Sequence, residues 1–144
     1  MHKISKYLLA VVVGVAACLA SLSGHADTIK VGFNVPLTGF AAADGKSARI
    51  GAELAVEQVN AAGGINGRNL ELVIYDDQAS PKESAPLAAK LITQDEVVAG
   101  ISGSYSGATR AAATIYQENG TPYISAYAVH PDITRSGDLS LIHI

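Results

Sequence analysis

Gly39 to Ser47 reads GFAAADGKS and lies between an apolar stretch, IKVGFNV, and a helix-like one, ARIGAELAVEQVN. A strand, a glycine-containing loop, Gly-Lys-Ser and a helix suggest backbone N–H groups cradling a nucleotide phosphate. The spacing argues against that chemistry. A phosphate loop places four residues between its first glycine and the Gly-Lys pair. Here Gly39 and Gly45 enclose five, Phe40 to Asp44. The extra residue breaks the nest, and Asp44 would aim a carboxylate at the phosphates. A plain strand-to-helix loop is the better reading. Such loops are nevertheless where open α/β sheets bind ligands.

The second informative stretch is GSYSGATR. Gly103 and Gly107 bracket Ser104, Tyr105 and Ser106, where a helix is expected to begin. A helix start offers free N–H donors and a partial positive charge, and a serine hydroxyl can join them in holding a carboxylate. The plainer reading makes Ser106 a helix cap, and the two readings are compatible. A nucleophile elbow needs Gly-x-Ser-x-Gly; the central residue here is Tyr105, so that pattern fails. Asp76 and Asp77 pair two acids at a strand end, chiefly as turn caps. His130 is the only histidine between Asp27 and Asp138, and that stretch has no cysteine. No metal site is expected there, no cofactor, and no enzyme. Tyr123 reads as core, whereas Tyr105 and Tyr127 fall near the ligand edge.

These residues need elements to position them. TIKVGFNV reads as a first strand. From Asp44 to Ala62, alanines and Val59 recur at three- and four-residue steps, as in a helix. Gly63 suits a left-handed helix end, and Asn66-Gly67 is a turn pair. LELVIYDD is a second strand. Ser80-Pro81 opens a second helix running to about Gln94, with Pro86 expected to kink it or delay its start. VVAGIS is a third strand, Ser106 to Asn119 a third helix and PYISAY a fourth strand. HPDITRSGD is a helical turn or loop. The alternation predicts an α/β fold: a doubly wound parallel sheet in the order 2-1-3-4, with right-handed crossovers. A ligand belongs at the carboxyl ends of the first and third strands, where the chain order reverses. That places contacts in Gly39 to Gly45, in Gly103 to Gly107 and in the loop after the fourth strand.

The ends of the chain read differently. MHKISK is a basic head, and YLLAVVVGVAACLA is an apolar run too short for a membrane span. SLSGHA follows with small residues. The expectation is a signal peptide, residues 1–26, cleaved after Ala26. VAAC, ending at Cys18, resembles a lipobox, so a lipoprotein is the minor alternative. The last residues, 139–144, read LSLIHI and bring an abrupt apolar tail. They can be encoded by codons resembling a sequencing adapter, so they are expected to be non-native; a true strand is the alternative. Residues 27–138 carry eight Lys and Arg against thirteen Asp and Glu, a formal net charge of −5. That excludes a nucleic-acid surface and fits a single α/β unit.

The segment from Ile29 to Pro81, with its NAAGGINGR and YDD strings, resembles the amino-terminal lobe of branched-chain amino-acid-binding proteins. These are the type I periplasmic binding proteins of ABC importers, and SGATRAAATIYQENGTPYIS continues the likeness. The resemblance implies one truncated lobe of a two-lobed, monomeric clamp in the periplasm. Its partners would be a small solute, an amino acid or related carboxylate or amide, and a membrane permease. The family's carboxylate position matches Ser106, flanked by Tyr105 and Gly107, and its ammonium-holding carbonyl matches Tyr127. Two positions depart from the pattern. A threonine that binds through its hydroxyl is Val129 here, and a tyrosine of the first loop is Asp44. Aromatic acids, amides or urea-like solutes are therefore as open as leucine-like ones. A disulfide of some relatives is replaced by Ala79 and Tyr105. The same lobes also serve as ligand-binding modules of sensory receptors, which is the alternative function.

Overall fold

The structure, a computed structural model, describes residues 28–103 and 105–142. The segment read as a signal peptide lies outside them. Among the described residues, five strands form one parallel sheet: β1 (Ile29–Val35), β2 (Leu70–Asp76), β3 (Ala99–Ser102), β4 (Tyr123–Ser125) and β5 (Ser140–Ile142). Their order is β2-β1-β3-β4-β5, so the expected 2-1-3-4 arrangement is present with one strand added at its edge. The helices are α1 (Ala42–Ala61), α2 (Pro81–Thr93) and α3 (Ser106–Glu118). Two 3-10 turns, Gly39–Ala41 and Pro131–Ser136, flank the strand carboxyl ends.

Local chemistry accounts for the element ends. Gly63 takes φ +98°, and Asn66 and Gly67 take φ +53° and +77°. They reverse the chain between α1 and β2, and Ile65 bridges to Arg68 across the turn. Pro86 does not interrupt α2. Pro86 and Lys82, whose carbonyl it leaves without a donor, are both exposed, so water can replace the lost bond. Ser80 precedes the helix in extended conformation, but its hydroxyl makes no capping bond. β5 comes from the tail read as foreign. An edge strand accepts any short extended segment, so this pairing describes the fold and not the origin of those codons.

The core lies between the sheet and the pair α2 and α3. Gly32 of β1 is in register with Gly100 of β3, and Gly100 with Tyr123 of β4. The two glycines form a trough that receives the Tyr116 ring. A Cβ on Gly100 would stand 2.3 Å from Tyr116 Cζ, and one on Gly32 2.8 Å from its hydroxyl. Tyr116 stacks on Tyr123 at 4.4 Å, with the rings 11° from parallel. Ala88, Leu91, Val97, Ala112 and Ala113 close around the pair. Burial raises the phenol pKa of both tyrosines, keeping them neutral across the ordinary pH range.

Candidate ligand-binding edge

Two residues further along each central strand, on the same face as the glycine trough, the row turns polar. Asn34, Ser102 and Ser125 are in register and all buried. Each ties down a neighbouring segment. Asn34 Nδ2 donates to the Ser84 carbonyl at 3.0 Å and approaches Ser84 Oγ at 3.2 Å, fixing the start of α2. Ser102 Oγ donates to the Gly103 carbonyl at 3.1 Å. Ser125 Oγ donates to the Ala128 carbonyl at 2.7 Å, fixing the loop after β4. The Gly103 amide donates to the Asn34 carbonyl at 2.7 Å, which pins the loop after β3 against β1. Buried polar groups bonded in this way hold loops in one place, because an unpaired alternative is costly.

The first loop is anchored from the other side. Asp76, ending β2, accepts from the Leu37 amide at 2.7 Å, the Thr38 amide at 3.3 Å and the Gln78 amide at 3.0 Å. Its other oxygen takes the Thr38 hydroxyl at 2.5 Å. Burial pushes the Asp76 carboxyl pKa up, but these hydrogen bonds together hold it below the usual carboxylate range. Asp77 next to it is buried. There desolvation outweighs the bonds from Ala79 and Ser84, and its carboxyl is raised. The acid pair therefore splits into a charged loop anchor and a carboxyl biased toward its neutral form. The turn-capping reading describes both.

Loops one and three meet directly. Tyr105 Oη donates to Asp44 Oδ2 at 3.0 Å, and this bond raises the Tyr105 phenol pKa. Phe40 meets Tyr105 edge to face, with ring centroids 5.2 Å apart. α1 reaches this edge closely because residue 45 is glycine: a Cβ there would stand 1.6 Å from the Pro36 carbonyl oxygen. Asp44 lies in the first turn of α1 but does not cap it; its side chain spans to the third loop. Ser106 is not the helix cap either. Tyr105 occupies the cap position with no side-chain capping bond, and Ser106 is the first helical residue. Gly107 follows it, exposed. Tyr127 and Val129 are exposed in the loop after β4, and Tyr127 is close enough to raise the Tyr105 phenol pKa electrostatically. His130 starts the second 3-10 turn, its Nδ1 accepting from the Asp132 amide at 3.2 Å.

The structure thus gathers the six sequence-picked positions at one end of the sheet, around the start of α3. It adds supports that the sequence reading passed over: Asn34, Asp76, Ser102 and Ser125. Their signal was a polar residue at or near the end of each apolar strand. Among the described residues, no group of three or more His, Cys, Asp or Glu could hold a metal ion.

Comparison with known proteins decides the family. The family model described as periplasmic binding protein matches residues 28–139. The chain belongs to this family. The leucine-, isoleucine-, valine-, threonine- and alanine-binding protein of Pseudomonas aeruginosa is 42% identical over 121 residues, 84% of this chain and 32% of that relative. Among solved structures, the branched-chain amino acid transporter substrate-binding protein LivJ of Streptococcus pneumoniae, in complex with isoleucine, aligns with a TM-score of 0.76. It is 40% identical, and the match covers 81% of this chain and 33% of that one. A solute-binding protein of an ABC transporter from Rhodopseudomonas palustris, in complex with 3,4-dihydroxybenzoic acid, aligns at 0.71. It is 29% identical over 79% of this chain and 31% of that one. The chain spans about a third of the length of these relatives. The relatives are substrate-binding proteins, not enzymes.

Proposed function

We propose that this periplasmic binding protein lobe supplies one wall of a solute clamp, delivering an amino acid or related small carboxylate to the permease of an ABC importer. The periplasm is its compartment, reached through the leader at residues 1–26. The observation that carries the reading is the convergence of three separately anchored loops on the amino end of α3. Ser106 opens that helix with its hydroxyl not spent on a cap, beside backbone amides that favour an anion. Ser106 and the amides around Gly107 take the carboxylate. The Tyr127 carbonyl takes an ammonium where the solute has one. Val129 offers only its backbone and an apolar surface at that point. Tyr105 and Asp44 form the side wall. Relatives named for leucine, isoleucine and valine support the solute class.

Isothermal titration of the full-length protein with amino acids and organic acids tests this reading. Ser106→Ala should weaken binding of the carboxylate solute by about 1–2 kcal/mol. Unchanged affinity removes Ser106 from the site.

A further inference from the structure

The chain has six tyrosines and two phenylalanines. Phe33, Tyr116 and Tyr123 are buried in the core. Three others gather at the ligand edge instead. Phe40 is 80% exposed on the first 3-10 turn and Tyr127 43% exposed after β4; Tyr105 stands between loops one and three. Val129, two residues after Tyr127 in the same loop, is 71% exposed. A phenylalanine this exposed contributes almost nothing to the stability of the lobe, since its area stays in water. It is also held rather than loose. Tyr105 meets it edge to face at 81°, and the Asp44 carboxylate fixes the Tyr105 hydroxyl. Tyr105 immediately precedes Ser106, so the ring pair stands beside the helix start assigned to the carboxylate.

We infer that Phe40 and Tyr105 select a solute joining a carboxylate to a planar aromatic ring. The inference rests on the solute-binding reading above and narrows its substrate class. An edge-to-face pair leaves ring faces open to a third ring, and such contacts add to simple area burial. A branched aliphatic chain gains only the burial. Val129 fits the same preference, because it places an aliphatic side chain, not a hydroxyl, at the rim. The shared chemistry is an aromatic carboxylate, with or without an α-amino group. Asp44 distinguishes the two: it is exposed, and the Tyr105 hydroxyl occupies only one of its oxygens, which leaves the carboxylate able to accept from an ammonium as well.

The experiment is titration of the full-length protein with L-phenylalanine, 3-phenylpropionate and L-leucine, for native protein and for Phe40→Ala and Ser106→Ala. At least one aromatic solute should bind about tenfold tighter than leucine. Phe40→Ala should erase most of that preference and change leucine affinity less than about threefold. A lead of phenylalanine over phenylpropionate assigns the amino acid; the reverse assigns the simple acid. If leucine binds as tightly as both aromatics, with Ser106 dependence intact, the aromatic inference falls and the solute-binding reading stands. If Phe40→Ala weakens all three solutes equally, Phe40 does not select and the inference falls. If none of the three binds, the carboxylate reading itself fails and takes the inference with it. Phe40 is too exposed for its loss to unfold the lobe, and a matching thermal midpoint of the variant checks this.

Discussion

The two faces of the sheet are built to different standards. On one face α2 and α3 close over Gly32, Gly100 and Tyr123 with no slack: Leu91, Ala88, Ala112, Ala113 and Tyr116 are all buried. On the other, α1 buries no residue of its own beyond Gly45. It seals Phe33 and Val35 near the ligand edge but leaves Val31, Leu70, Leu72 and Ile101 half-buried toward the opposite end. An apolar groove of about 180 Å³ remains there beneath Ala52, Ala55, Val56 and Val59. The difference shows where rigidity is placed. The tight face carries the polar row of Asn34, Ser102 and Ser125, and that row positions the site loops. The loose end of α1 lies away from them.

This contrast is open to direct attack by truncation. Leu91→Ala should cost about 3 kcal/mol, because a fully buried leucine leaves a cavity in a core that cannot collapse onto it. Val56→Ala, on the half-wet face, should cost under about 1 kcal/mol. Urea denaturation of the full chain reads both, and equal losses would abolish the distinction. Gly100→Ala comes next. Its methyl would strike the Tyr116 ring, which cannot retreat because it is stacked on Tyr123. Overpacking of this kind costs about 1–3 kcal/mol. A neutral result would show that the tyrosine pair is mobile.

Much of the fold was legible beforehand because its signals are local. Alternating β and helical periods, Gly63, Asn66-Gly67 and Ser80-Pro81 place the elements, and alternation alone implies the parallel sheet. Strand limits were less readable. β3 begins at Ala99 rather than Val97, and β4 covers only Tyr123–Ser125, because pairing with neighbours, not residue type, ends a strand in a parallel sheet. The site residues came from chain position at the switch point and from resemblance. The supports did not, because Asn34 meeting Ser84, or Asp76 meeting Thr38, joins residues far apart in sequence. Tyr105 meeting Asp44 belongs to the same class: both residues were singled out, but not as partners.

A subtler test separates the two acids at the end of β2. Asp77, on the packed side, is held above its ordinary pKa, so the folded chain keeps that proton where the unfolded chain has lost it. Its contribution to stability is therefore present at low pH and fades as pH rises from the ordinary carboxylate value through the raised one. Asp76 has the opposite sign: its contribution is present above the ordinary value and is lost as pH falls through the lowered one. Asp77→Asn keeps the shape without the ionisation. It should flatten the decline in stability as pH rises above the ordinary carboxylate value, read as urea midpoints across a pH series. A slope identical to that of the native chain would mean Asp77 is hydrated and the face is not dry at that point.

The smallest effect tests the loose face from the inside. Ala52 is half-buried on α1 and lines the 180 Å³ groove with Val31, Leu70, Leu72 and Ile101. Leucine there would place extra carbons into space that is already apolar. The helix itself loses little, since alanine and leucine are among the best helix formers. Burial of the added surface should then raise stability, by about 0.5–1 kcal/mol after the side chain's lost rotamer freedom. The sign is what matters. On the packed face, enlarging a residue is destabilising, as with Gly100. On this face the same kind of change should stabilise, and a higher urea midpoint for Ala52→Leu would locate the slack in the molecule. A lower midpoint would mean that another part of the chain already fills the groove, and the two faces would then be equally well packed.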